Sequence, residues 1–255
     1  MARGLLFTGV YYVLSAIYVI AALLALALPG RKPVAFIIRS YTRAVRHALR
    51  LIAGISVEFR GRKNLPDGPF IVAAKHQSWG DGILLYPEIK DLAFVTGDHL
   101  ERFPFVGRIL QKLGAIVIDT CGGGDRKAAS LAEGMERARE AGLRVLIYPE
   151  GHLAAPGTHY RYKPGVWHMQ KAMNVPVVPV ATNLGVFWQQ EEIDKRPGRA
   201  VIEFLPPIAL GLDKTTFIET LTHSIEDRSA VLLGEARAEP AQYAILLDDP
   251  VRKQA

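Results

Sequence analysis

His76 and Asp81, in the run Lys75-His76-Gln77-Ser78-Trp79-Gly80-Asp81, set a base and a carboxylate five residues apart. Such a pair can activate a hydroxyl. An imidazole titrates near neutral pH and can take the proton of an attacking alcohol, while the acid fixes its tautomer and stabilises the imidazolium as it forms. The spacing restricts how the two can meet. Five residues advance an ideal α-helix by about 500°, leaving the side chains roughly 140° apart, and in a strand an odd offset puts them on opposite faces. A strand running into a turn and then a helix brings them together, with His76 just past the strand and Asp81 in the first helical turn. The neighbours fit: Phe70 to Ala74 is apolar, Ser78 is a candidate N-cap, Gly80 permits a tight turn, and a first-turn carboxylate suits the helix dipole. Taken alone, an H-x-x-x-x-D match is equally what a strand cap followed by a helix-start acid produces.

A second string, Val145-Leu146-Ile147-Tyr148-Pro149-Glu150-Gly151, reads as a buried strand ending in a polar turn. Ligands of parallel α/β sheets collect outside the carboxyl ends of strands, so both strings are expected to line one crevice.

The elements that must position these groups are read from periodicity. From Ile55 the chain alternates short apolar runs with helix-like segments, the α/β pattern. Strands are expected at residues 55–60, 70–74, 92–95, 115–118, 144–148, 177–181 and 200–204. Helices are expected at 82–86, 104–113, 125–141, 165–173 and 215–236, the third capped by Asp125 and stopped by Gly142. The predicted fold is α/β, with a mixed, largely parallel sheet and flanking helices. An N-terminal membrane-associated helical segment precedes it, so residues 1–54 form that segment and 55–255 the catalytic domain.

No charged residue occurs from Gly4 to Leu28, longer than the ~20 residues that cross a bilayer as a helix. Arg31, Lys32, Arg39, Arg43, Arg46 and Arg50 lie after it and only Arg3 before it, which places the remainder of the chain on the cytoplasmic side. Ala25-Leu26-Ala27 imitates a signal-peptide cleavage site, yet the apolar stretch exceeds the ~7–15 residues of a signal core. A helical pair turning at Pro29-Gly30 and lying within one leaflet is the third arrangement. Its second arm, Val34 to Ile55, mixes apolar residues with arginines, as a helix on an anionic lipid surface does.

The surplus of six positive charges fits a membrane surface and anionic substrates. Nucleic-acid binding is not expected, because the basic residues crowd beside the apolar segment and no zinc-finger, helix-turn-helix or RNA-binding signature is present. A single cysteine, Cys121, excludes an intramolecular disulfide and has no local histidine to make it a catalytic thiol. Gly122-Gly123-Gly124-Asp125 lacks the Lys-Ser/Thr of a nucleotide loop. His152, His159 and His168, with Glu150, lack compact metal-ligand spacing, so neither metal nor cofactor is expected. Trp79 lies between the two dyad residues and could wall a substrate channel.

Four ordered strings give the chain a wider likeness: His76 with Asp81; Ile118-Asp119; Tyr148-Pro149-Glu150-Gly151; and Val175-Pro176-Val177-Val178-Pro179-Val180. In these the chain after about Ser56 resembles the glycerolipid acyltransferase family, in particular its bacterial 1-acylglycerol-3-phosphate acyltransferases. The family patterns are H-x-x-x-x-D, a strand ending in I-D-R, F-P-E-G-T-R, and V-P-V-x-P-V. The resemblance implies transfer of a fatty acyl group from acyl-CoA or acyl carrier protein to the sn-2 hydroxyl of 1-acylglycerol-3-phosphate, at the inner, cytoplasmic membrane. It implies His76 as base and Asp81 as its partner, the substrate supplying the nucleophilic oxygen. Ser78 is not needed as a nucleophile, since no Gly-x-Ser-x-Gly elbow surrounds it.

Glu150 and Gly151 are expected to bind the acceptor, with Glu150 alternatively bracing its loop and amides of that turn facing the oxyanion. Two departures concern the phosphate. Thr120 stands where the family has Arg, and His152-Leu153 where it has Thr-Arg. Neither Thr nor Leu replaces a bidentate guanidinium, so Arg161, Lys163 and Arg126 are the candidate phosphate ligands. The same departures keep open another acceptor, such as a lyso-ornithine lipid. A catalytically silent lipid-binding homologue and a metal-dependent hydrolase built on His76, Asp81 and Glu150 are the readings from other classes.

Overall fold

The computed structural model describes residues 2–97, 104–118, 124–189 and 193–237. In chain order the elements are α1 (Ala2–Ala25), α2 (Lys32–Ala48, continuing as a wider turn to Ala53), β1 (Ile55–Arg60), β2 (Ile71–Ala74) and α3 (Gly80–Leu85). Then come β3 (Leu92–Gly97), α4 (Pro104–Lys112), β4 (Ile116–Ile118), α5 (Gly124–Glu140), β5 (Arg144–Ile147) and α6 (Gly165–Met173). The chain closes with β6 (Val177–Thr182), α7 (Leu184–Phe187), β7 (Gly198–Phe204) and α8 (Lys214–Arg237).

Seven strands form one sheet in the order β1-β7-β6-β2-β5-β3-β4. Each neighbouring pair is parallel except β6 with β7, which run antiparallel. The mixed, largely parallel sheet expected from the sequence is therefore present. The short helix α7, which no periodicity marked, makes the corner between β6 and β7.

The central strands are buried on both faces, which is why they read as unbroken apolar runs rather than alternating ones. Phe70, Val72 and Ala74 face one core with Leu146, Val178 and Val180. Ile71 and Ala73 face the other, with Val145, Ile147 and Val177. Helices α5, α6 and α8 cover the second face through Met135, Met169 and Phe217.

The first face is closed largely by the N-terminal helices. Phe7, Val45 and Leu49 belong to the same core as Val72 and Leu146. The α1 start packs on the body, where the Phe7 ring meets Trp188 edge-on at 5.2 Å. Its end packs there too, with Ala22 and Ala25 clustered with Ile109 of α4 and Leu113 just after it. Hydrogen bonds between Tyr41 and Ser15 (2.9 Å) and between Tyr18 and Ser40 (3.1 Å) join the two helices as an antiparallel pair. The pair turns where Pro29-Gly30 was expected to turn it. Leu6, Tyr12, Val13, Ile17, Ile20 and Leu24 remain exposed on the outer side of α1. At 24 residues that helix is long and apolar enough to cross a bilayer.

Candidate active site

β2 and β5 are parallel neighbours, so the turns at their carboxyl ends lie side by side. His76 stands two residues past β2, and Tyr148, Pro149 and Glu150 come directly after β5. A backbone bond from Ala154 to the His76 carbonyl (2.8 Å) fastens one turn to the other. The two strings thus share a crevice.

His76 Nδ1 lies 3.0 Å from Asp81 Oδ2. That oxygen also accepts the backbone N–H groups of Gln77 (2.7 Å) and Ser78 (2.8 Å). Three donors converge on one buried carboxylate oxygen, which fixes the acid and makes Nδ1 the protonated nitrogen. Nε2 is left for a substrate hydroxyl. The imidazole is one-fifth exposed and the carboxylate almost fully buried.

Ser78 acts differently from expectation. Helix α3 begins at Gly80, and the Ser78 hydroxyl accepts the Gly80 N–H at 3.0 Å. It caps the turn before the helix and does not face the cavity. Gly80 is required by close approach: a Cβ there would sit 2.5 Å from the Trp188 ring.

The dyad opens on a cavity of about 790 Å³ lined by Ile38 and Tyr41 of α2, Ile83 of α3 and Phe94 of β3, with Trp79 and Tyr148 beside His76. Its wall is mostly apolar and includes helix α2. Trp79 is half exposed at this site, as a wall rather than a core residue.

The other candidates divide. Lys163 and Gly151 line the cavity and touch each other. Among the described residues Lys163 is the only cation on that wall. The Gly151 N–H, however, donates to the Tyr148 carbonyl at 3.0 Å. That amide, one of those the sequence offered for the oxyanion, is engaged within the turn. Arg161 is exposed and stands off the cavity wall. Arg126 lies in the first turn of α5, but its side chain falls outside the described residues, as do Asp119, Thr120 and Cys121. His152, His159 and His168 are exposed, and among the described residues no group of three metal-ligating side chains assembles.

Glu150 does not reach the cavity. Its buried carboxylate accepts from Lys75 Nζ (3.2 Å) and from the Tyr160 N–H (2.9 Å). Lys75 Nζ also bonds the Thr158 carbonyl (2.7 Å) and Glu226 Oε1 of α8 (2.8 Å). Tyr162 donates to the same Glu226 oxygen at 2.7 Å, and burial together with the Glu226 charge pushes its phenol well above the ordinary range. This cluster supports the bracing alternative for Glu150. It ties the turn after β5, the loop 158–162 and helix α8 to the residue next to His76. Sequence reasoning missed Lys75, though a lysine ending a strand buried on both faces was a usable signal.

An acyltransferase family model matches residues 56–183, which hold both turns and the dyad. The chain belongs to the acyltransferase family. This acyltransferase is 31% identical over 173 residues to the 1-acyl-sn-glycerol-3-phosphate acyltransferase of Pseudomonas aeruginosa, covering 67% of this chain and 66% of that one. It is 33% identical over 104 residues to the lyso-ornithine lipid O-acyltransferase of the same organism, covering 40% and 38%. The chain thus spans about two thirds and about two fifths of the two relatives' lengths. Its fold matches a crystal structure of the 1-acyl-sn-glycerophosphate acyltransferase PlsC from Thermotoga maritima with a TM-score of 0.74. That match has 20% identity and covers 94% of this chain and 98% of the other.

Proposed function

We propose that this acyltransferase moves a fatty acyl group from acyl-CoA or acyl carrier protein to the sn-2 hydroxyl of 1-acylglycerol-3-phosphate, giving phosphatidate for phospholipid synthesis. The observation that carries the reading is the His76–Asp81 hydrogen bond at the mouth of an apolar cavity of about 790 Å³ with a cation, Lys163, on its wall. The 31% identity to the Pseudomonas enzyme of that name supports it.

In this mechanism the acceptor hydroxyl hydrogen-bonds to His76 Nε2. As its oxygen attacks the thioester carbon, the proton passes to the imidazole and the ion forms against the Asp81 carboxylate. The tetrahedral intermediate collapses, the C–S bond breaks, and the imidazolium returns the proton to the departing thiolate. No acyl-enzyme forms. Lys163 attracts the acceptor's phosphate, while the cavity wall takes an acyl chain.

Residues 1–54 are the membrane-associated segment and 55–255 the catalytic domain in this proposal. Helix α1, about 36 Å long, touches the body at both ends. A helix held that way lies along the domain, so α1 and α2 enter one leaflet of the inner membrane from the cytoplasmic side. The cavity, walled partly by α2, then opens beside the lipid.

A second acceptor is favoured by specific residues. Thr120 and Leu153 replace the family's arginines, and the Pseudomonas lyso-ornithine lipid O-acyltransferase is among the relatives. The test is an assay of purified protein with labelled acyl donor and a panel of lysolipids, with mass analysis of products. Acylation of 1-acylglycerol-3-phosphate above the other lysolipids is expected. Acylation of a phosphate-free lysolipid, with none of 1-acylglycerol-3-phosphate, replaces the first acceptor by the second.

A further inference from the structure

The His76 ring has a second neighbour besides Asp81. Tyr148 stacks on its face, with centroids 3.8 Å apart and planes 13° from parallel. The Tyr148 hydroxyl is buried and makes no hydrogen bond to the described residues. What the position offers His76 is an aromatic face. We infer that Tyr148 belongs to the catalytic machinery, its π face stabilising the imidazolium that His76 becomes as it takes the acceptor's proton. The inference rests on the acyl-transfer reading above and deepens it.

The physical case compares two states of one ring. A neutral imidazole stacked on a phenol gains dispersion and a fixed plane. A protonated imidazole in the same place gains in addition the attraction of a cation to the ring quadrupole, which applies to the charge that develops in the transition state. Burial and the Asp81 charge push the Tyr148 phenol well above its ordinary value, so it remains neutral and adds no charge of its own. The stack also shields one side of the imidazole from water, which strengthens the attraction.

Among the described residues, the charged and titratable groups sharing this environment are Asp81 of α3, bonded to Nδ1, and Lys163 from the segment before α6. The phenols of Tyr41 on α2 and Tyr86, at the end of α3, lie along the same cavity. The neighbouring Lys75 directs its ammonium to Glu150 and Glu226 instead. A test that changes only the Tyr148 ring leaves all of these in place.

The experiment replaces Tyr148 by phenylalanine and then by phenylalanines carrying two and three ring fluorines, in the full-length protein in micelles with acyl-CoA and 1-acylglycerol-3-phosphate. Fluorine weakens the ring quadrupole with little change of shape. Stepwise loss of kcat is expected, about two- to thirtyfold in total, and the acid limb of kcat/KM should move down by roughly 0.4–1.5 pH units. The sign comes from the charge: a ring that attracts the cation less lets the imidazole stay unprotonated to lower pH. Tyr148→Leu, apolar but without a π face, should move the limb as far as the most fluorinated ring. A kcat and acid limb independent of fluorine number, or an unmoved limb in the leucine variant, would overturn the inference. His76→Ala in the same assay separates the two claims. If it is inactive and the fluorine series is flat, only the role of Tyr148 falls, whereas an active His76→Ala removes the base itself.

Discussion

Lys75 Nζ lies 3.2 Å from Glu150 Oε2, both side chains essentially without solvent contact. The pair joins the residue before the proposed base to the turn after the neighbouring strand. Removing one partner of a buried pair strands the other charge, at a cost of about 3–5 kcal/mol. Lys75→Met leaves Glu150 and Glu226 facing each other without their cation, so it should be the more destabilising change. Glu150→Gln should cost less, since Glu226 still pairs with Lys75. The Lys75→Met/Glu150→Gln double variant should recover part of the loss. Denaturant unfolding in micelles measures all three, and additive losses would show that the pair does not couple the turns.

Asp81→Asn tests tautomer control. The neutral amide accepts these three N–H groups more weakly than the carboxylate oxygen does, and it no longer stabilises the imidazolium. A fall in kcat of about 10³–10⁴ is expected, by analogy with the carboxylate of a hydrolase triad. Steady-state kinetics on a variant with native circular dichroism reads it, and a loss under tenfold would remove Asp81 from the chemistry.

Lys163 and Arg161 are two residues apart and should behave differently. Lys163→Ala should raise KM for 1-acylglycerol-3-phosphate about tenfold, roughly 1.4 kcal/mol, with kcat nearly unchanged. Arg161→Ala, exposed and off the cavity wall, should change KM less than twofold. Equal effects of the two would place the phosphate elsewhere.

Membrane association should depend on the outer side of α1. Ile17→Glu with Leu24→Glu puts charges on exposed positions and should shift the protein from vesicles to the soluble fraction in a flotation assay without lowering Tm. Phe7→Ala, in the core against Trp188, should instead destabilise by about 3–5 kcal/mol. Vesicle binding unaffected by the paired glutamates would mean that this face does not meet lipid.

The middle of the sheet was legible because its central strands are apolar on both faces. Ile71 to Ala74 could hardly be anything but a central strand, and the expected strand boundaries fall within about two residues of the observed ones. The dyad was legible for a different reason: His76 and Asp81 are close in sequence, so helix and strand geometry alone dictated the turn between them. Lys75 with Glu226 could not be read this way, since their contact crosses 151 positions and depends on where α8 docks. The Tyr148 stack also arises between strands, from the β2–β5 register. Glu150 was singled out rightly as special, but its burial turns it towards Lys75 and away from the cavity.

The most direct measurement is acyl transfer by His76→Ala. Wild-type and variant protein of equal secondary structure are given thioester with a labelled acyl group and 1-acylglycerol-3-phosphate, and labelled phosphatidate is counted. A loss of at least about 10³ in turnover, with vesicle binding intact, is the predicted result. Phosphatidate formed by the folded variant within tenfold of wild type would contradict the assignment of His76 as the base.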